Sequence, residues 1–159
     1  LAQIEWSKQV RDALKEMSEK SSEGGNNAMR KVKKTWQNRT TLLVECVEKQ
    51  GISHRDRNKI ISLIIIEEHN RQVIESISAN RACNYPGHFD WQSQLRFEKS
   101  ESIESTPDQM IIIVRQLNWW TNYGYEYQGN NGRLVITPLT DRAYMTLTNA
   151  LKLSLGGAP

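Results

Sequence analysis

Apolar residues recur every three to four positions through the first half of the chain. Trp6, Val10, Leu14 and Met17 form one series, and Met29, Val32, Trp36, Leu43 and Val47 a second. Ile60, Leu63, Ile64, Val73, Ile74 and Ile77 form a third, joined by Glu67. A period of about 3.6 places each series on one face of an α-helix. The first helix is expected over residues 1–20. The second is expected from about Ala28 to Gln50, with Gly51 where a C-terminal glycine cap belongs. Ser53 can cap the third, which runs to about Asn80 and carries His54, Arg55, Asp56 and Arg57 on a solvated first turn. Ser21–Asn27 (SSEGGNN) reads as a loop by composition. Short connections between three helices favour antiparallel packing of their apolar faces. No repeat of about 20–50 residues is visible, which argues against a solenoid.

The pattern changes at Arg81–Gly87, where Pro86 and Gly87 punctuate the chain. Phe89–Phe97 (FDWQSQLRF) resumes as one helical turn running into an extended segment. Lys99–Gln109 is polar, carries Pro107 and reads as an exposed loop. Met110–Val114 is short, β-branched and strand-like. Trp119–Tyr127 (WWTNYGYEY) is also strand-like, with aromatics at 119, 123, 125 and 127 on one face, where burial in a sheet would account for them. Gly129–Gly132 reads as a turn, and Leu134–Ile136 as another short strand. A tight Thr137-Pro138 turn then opens a helix capped by Thr140. Asp141 lies at the positive end of its dipole, Ala143, Leu147, Ala150 and Leu151 line one side, and Gly156-Gly157 stops it. The expected fold is therefore mainly α, followed by a small β/α segment. The boundary falls near 118–122, giving units of 1–120 and 121–159.

Composition narrows the function classes. A net charge of +3 is too weak for the basic face of a nucleic-acid module. The longest apolar run, Ile60–Ile66, is far short of the ~20 residues a membrane helix needs. Neither nucleic acid nor membrane is an expected partner. Cys46 and Cys83 have no CxxC or Cys/His spacing, so no zinc site or disulfide framework is indicated. Leu1 is not an initiator Met, which suggests a piece of a longer chain, although processing would explain it too.

Candidate chemistry is sparse. His69, between Glu67-Glu68 and Arg71, invites an acid–base reading. No second ligand or nucleophile lies at motif spacing, so an exposed or partly buried polar residue on a helix is preferred. Glu67-Glu68 likewise reads as a solvated face. Arg30, Lys31, Lys33, Lys34 and Arg39 cluster around Trp36 and could dock an acidic partner, although Glu45 and Glu48 dilute the charge. The 136–140 stretch differs. Pro138 removes a donor and fixes φ, which leaves backbone groups free of a ladder between Ile136 and Leu139. Apolar walls with backbone polar groups at the edge suit a planar purine, but from these residues alone a plain strand–turn–helix is the preferred reading.

Longer wording carries a resemblance. Arg133-Leu134-Val135-Ile136-Thr137-Pro138-Leu139-Thr140-Asp141-Arg142, preceded by Tyr123-Gly124-Tyr125-Glu126-Tyr127 and followed by Leu155-Gly156-Gly157-Ala158-Pro159, resembles the dynein heavy chain. In that family these motifs sit where the linker ends and the first AAA+ module begins. Trp91-Gln92-Ser93-Gln94-Leu95-Arg96 is similar to the family's segment at the linker's end. Leu63-Ile64-Ile65-Ile66-Glu67-Glu68-His69 occupies the place of its helix reading roughly Leu-Ile-x-Ile-Asp-x-His. Departures are Glu98-Lys99-Ser100 where the family has aromatics, Ala143 for a common cysteine, and Trp119-Trp120 for smaller residues. The wording leans towards axonemal heavy chains, outer-arm ones among them.

The resemblance implies that 1–120 is the C-terminal part of a dynein linker and 121–159 the N-terminal edge of the first AAA+ (P-loop ATPase) module. It implies a part of an ATP-driven, minus-end-directed microtubule motor that works in the cytoskeleton of the cytoplasm, in the axoneme of a cilium or flagellum. ATP with Mg²⁺ would be the cofactor of the intact motor. Partners would be the rest of the ring and, through other regions, microtubules and intermediate and light chains. Val135, Ile136, Thr137, Pro138, Leu139 and Thr140 would border the adenine, with no catalytic residue and no metal ligand in the chain itself. The phosphate loop, GxxxxGK[ST], is absent from the 159 residues and is expected just beyond Pro159, so the Gly-Gly-Ala-Pro ending reads as a cut edge. Without Walker A and Walker B elements the chain alone is expected neither to hydrolyse ATP nor to bind it tightly. The reading from another class is a stand-alone helical adaptor that uses the basic face around Trp36.

Overall fold

The computed structural model describes residues 1–19, 22–100, 111–129 and 131–157, with backbone alone for 22–26. Three long helices come first: α1 (Ala2–Glu19), α2 (Ser22–Glu48) and α3 (His54–Ala79). α2 packs on both α1 and α3. Both pairs are antiparallel, as their cross-contacts require. Trp36 and Arg39 of α2 meet Gln9 and Glu5 of α1, while Lys33 and Arg39 meet Glu75 and Glu67 of α3. α3 starts at Ser53, whose hydroxyl accepts from the Asp56 amide. Gly51 sits at φ +87, a conformation that other residues rarely adopt, between α2 and α3.

The core gathers at one end of this bundle. Trp6, Val10, Ala13 and Leu14 of α1 meet Ala28, Met29 and Trp36 of α2 and Val73, Ile74 and Ile77 of α3. Cys83 and Trp91 close the cluster from below α3, with the Trp6 and Trp91 rings edge-on at 5.3 Å. Helix lengths explain the lopsidedness. At 1.5 Å per residue α1 is about 27 Å long and α2 and α3 about 40 Å, so their far halves have no third helix. Leu42, Val44 and Ile61 therefore stay exposed, and Ile60, Leu63 and Ile64 of the third apolar stripe are only half-buried.

A short helix α4 (Phe89–Gln92) leads into β1 (Arg96–Lys99), which packs on α1; Ser7 on α1 accepts the Phe97 amide. β2 (Ile112–Gln116) and β3 (Trp119–Asn122) complete an antiparallel meander in the order β1-β2-β3, with Val114 opposite Phe97 and Thr121. α5 (Pro138–Lys152) follows.

Several expectations are corrected. Residues 22–27 are helical rather than a loop, because burial of the Ala28–Met29 turn against α1 draws the helix back over residues of poor propensity. The aromatic strand stops at Asn122, and Trp120, Tyr123, Tyr125 and Tyr127 are exposed, not buried. Leu134–Ile136 forms no strand, since no described strand lies beside it to supply a ladder. On α5 the buried residue is Thr148, while Ala143 and Leu151 face solvent. The loop expected over Lys99–Gln109 lies, from 101, outside the described residues, as does Met110.

Candidate functional site

The start of α5 is built by its own side chains. The Thr137 hydroxyl accepts from the Thr140 amide, and the Thr140 hydroxyl accepts from the Thr137 amide at 2.7 Å, a reciprocal capping box. Thr137, not Thr140, is thus the cap, and Thr140 is its third-position partner. Pro138 occupies the first helical turn, where its missing N–H costs nothing. The expected site residues part into two groups. Ile136 and Thr140 are half-buried, while Val135 (62 % exposed) and Leu139 (75 % exposed) present bare apolar side chains; Thr137 and Pro138 are exposed at the cap.

This corner leans on the helical body. Ile136, Thr137, Pro138 and Asp141 share a cleft of about 270 Å³ with residues from α3 and with Asp90, Ser93 and Gln94. His69 Nε2 lies 3.9 Å from Asp141 Oδ1 across it. Burial holds the His69 imidazole below its usual pKa while the Asp141 charge opposes the shift. Burial raises Asp141 while His69 opposes that. Desolvation leads for both groups, so the pair is a contact between two poorly solvated groups rather than a strong ion pair.

A second tie runs deeper. The buried Gln116 amide donates to the Ser93 carbonyl at 2.9 Å, and its Oε1 accepts from the Thr148 hydroxyl at 2.9 Å. One side chain at the end of β2 thereby joins α4 to α5. Neither Gln116 nor Thr148 stands out in the sequence, because a buried amide has no periodicity to betray it.

Outside this corner, two expectations change. Glu67 is 1 % exposed, not solvated: Arg39 holds both its oxygens, at 2.8 and 3.3 Å, while reaching Glu5 at 2.7 Å. Glu68 pairs with Arg71 at 2.6 Å. The basic cluster is partly spent. Arg39 stacks 4.5 Å over buried Trp36, and Lys33 pairs with Glu75, which leaves Arg30, Lys31 and Lys34 as its exposed part. The Trp91–Arg96 stretch is structural. Trp91 is core, Gln92 bonds the Pro86 carbonyl and Arg96, and Arg96 lies over the Trp91 ring at 5.7 Å.

Residues 123–159 match a family described as the hydrolytic ATP binding site of dynein motor region. Over 99 % of its length the chain is 39 % identical to the Dynein-1-beta heavy chain of the flagellar inner arm I1 complex of Chlamydomonas reinhardtii. The chain belongs to the dynein heavy-chain family. It is also 50 % identical over 65 % of its length to Dynein axonemal heavy chain 2 of Mus musculus. The Dynein alpha chain of the flagellar outer arm of Chlamydomonas reinhardtii is 38 % identical over 99 % of it. Inner-arm and outer-arm dyneins match about equally, so identity does not select an arm. The chain spans only 2–3 % of the length of these relatives.

Proposed function

We propose that this chain is the junction of a dynein heavy chain. In this reading residues 1–120 are the C-terminal part of the linker and residues 121–159 the N-terminal edge of the first AAA+ module. Its work is coupling: the nucleotide state at that module biases the linker between two positions in an ATP-driven, minus-end-directed microtubule motor of the axoneme. The observation that carries the reading is the cleft in which the cap of α5, inside the ATP-site match, rests on α3 and α4 of the helical body. A nucleotide that moves the cap must also move or strain those contacts.

The residues fit the base of ATP and not its phosphates. Val135 and Leu139 offer uncovered apolar surface on either side of a stretch, 136–138, whose backbone is outside any ladder. Ile136, Thr137, Pro138 and Thr140 would complete the border of an adenine. Phosphates and Mg²⁺ are assigned to a Gly-rich loop that these 159 residues do not contain. ATP, when bound, supplies the free energy of the stroke; this chain's own residues hold the base and transmit the change through α5. The rest of the ring, microtubules and the intermediate and light chains are the partners of the whole motor.

In the intact heavy chain, Leu139→Asp should weaken ATP binding at this module about tenfold or more, by setting a charge against the purine. Unchanged ATP affinity and microtubule-stimulated turnover would remove Leu139 from the site. Calorimetry on the 159-residue chain alone should show no micromolar ATP binding, and micromolar affinity would overturn the division between base and phosphate sides.

A further inference from the structure

Three side chains converge beside α4, of which the coupling reading uses only Asp90, in the lining of the cleft. Cys83 Sγ, a ring nitrogen of His88 and a carboxylate oxygen of Asp90 all lie within 4.8 Å of one another. Cys83 is fully buried, while His88 and Asp90 reach the surface. We propose that Cys83, His88 and Asp90 form a three-donor site for a divalent transition-metal ion of the zinc class, with solvent in the fourth position.

The donor set is the first argument. Thiolate, imidazole and carboxylate are the ligands that zinc selects, and three protein donors plus water is an established zinc arrangement. Geometry is the second. Zinc–ligand bonds of about 2.0–2.3 Å in a tetrahedron separate the donors by about 3.3–3.6 Å. His88 Nδ1 and Asp90 Oδ2 are 3.8 Å apart, so ring and carboxylate need close by only a few tenths of an ångström.

Orientation is the third argument. The Asp90 amide donates to His88 Nδ1 at 3.2 Å, which leaves the ring proton on Nε2 and points Nδ1 at Asp90; a metal there takes the place of the amide as partner of the Nδ1 lone pair. Asn80 donates to Asp90 Oδ2 at 2.6 Å, an outer contact of the kind that steadies a ligating carboxylate. Asn80 is itself fixed, since its amide closes α3 on the Ser76 carbonyl and its side-chain oxygen accepts the Ala82 amide. The Tyr85 ring meets His88 edge-on at 5.9 Å, and Gly87 permits this packing, because a Cβ there would stand 2.9 Å from the Tyr85 ring.

Electrostatics set the cost of the sulfur donor. Burial, with the Asp90 charge adding to it, pushes the Cys83 thiol up to about 11. A thiol and a carboxylate that repel one another's charged forms both gain from a cation between them. On binding, the S–H bond breaks, its proton leaves to solvent, and a sulfur–metal bond forms with no change of oxidation state.

Titration of the reduced 159-residue chain with Co²⁺ tests the site. The expected result is one equivalent bound, with a thiolate-to-cobalt charge-transfer band that Zn²⁺ bleaches. Cys46→Ser should keep the band and Cys83→Ser should lose it. Because Cys83 is core, His88→Ala and Asp90→Ala provide the independent readout. Each should weaken binding by more than about tenfold while the far-ultraviolet dichroism stays unchanged. No thiolate band at saturating Co²⁺, a band that survives Cys83→Ser, or unaltered affinity in both surface variants overturns the site.

Discussion

At the scale of single residues, the buried polar groups of α3 set the sharpest expectations. Glu67 is enclosed and its charge is met by Arg39. Arg39→Met would leave a carboxylate in the core without its partner and should destabilise the chain by about 3 kcal/mol, read from the urea midpoint. Asn70 presents the opposite case. It is 1 % exposed, and neither side-chain polar atom finds a partner among the described residues. Asn70→Leu replaces an unmet amide with a similar volume of hydrocarbon and should add about 1–2 kcal/mol. A fall in the midpoint for that variant would mean that Asn70 is satisfied after all. Burial of a charged residue was not legible in the sequence, because Glu67 falls on the apolar stripe and also beside a second glutamate. The stripe was the better guide.

At the scale of elements, the start of α5 is where sequence and structure diverge most usefully. The helix and its proline were readable, but α5 ends at Lys152, ahead of the expected Gly156-Gly157 stop, with Ser154 taking the left-handed turn at φ 57. Its cap was displaced by three residues, because Thr137 and Thr140 are both competent and the backbone, not the composition, chooses between them. Thr137→Ala removes one half of the box and should cost about 1 kcal/mol of helix stability, visible as faster amide exchange in the first turn of α5. Leu134–Ile136 has the composition of a strand yet no neighbour to pair with, a condition that no local sequence can report.

The contact between α3 and α5 gives a pH signature. His69 has a folded-state pKa below its unfolded value near 6.5. The unfolded chain therefore binds more protons than the folded one below about pH 6.5, and stability falls as pH is lowered through that window. Asp141 is shifted upward from 3.8, so the folded chain keeps its proton longer, and stability is regained as pH falls through its raised value. His69→Gln should flatten the decline between about pH 7 and pH 5 in urea titrations; an unchanged slope would assign that decline to other groups.

At the scale of the whole molecule, a well-packed helical end carries a lightly packed C-terminal quarter. The three-helix body was legible because periodicity, loop length and the Ser53 and Gly51 signals agree. The aromatic run 119–127 was not, since alternation states which residues share a face but not whether anything covers that face. Trp120 on the outer strand β3, and Tyr123, Tyr125 and Tyr127 in the segment after it, remain exposed. Hydrogen exchange should accordingly find the amides of 124–129 and 131–136 open and those around Trp36 and Ile74 the most protected, with the reverse order contradicting the described packing.

The placement of the tryptophans makes this contrast optical. Trp6, Trp36 and Trp91 are sealed in the helical core, while on β3 Trp120 stands in solvent beside the half-buried Trp119. Indoles in those two settings emit at different wavelengths and meet dissolved quenchers at different rates. The chain therefore carries its own two-colour gauge, a blue component that reports the helical body and a red one that reports the rim. A partner that covers β3 would shift the red emission alone, before any helix has moved.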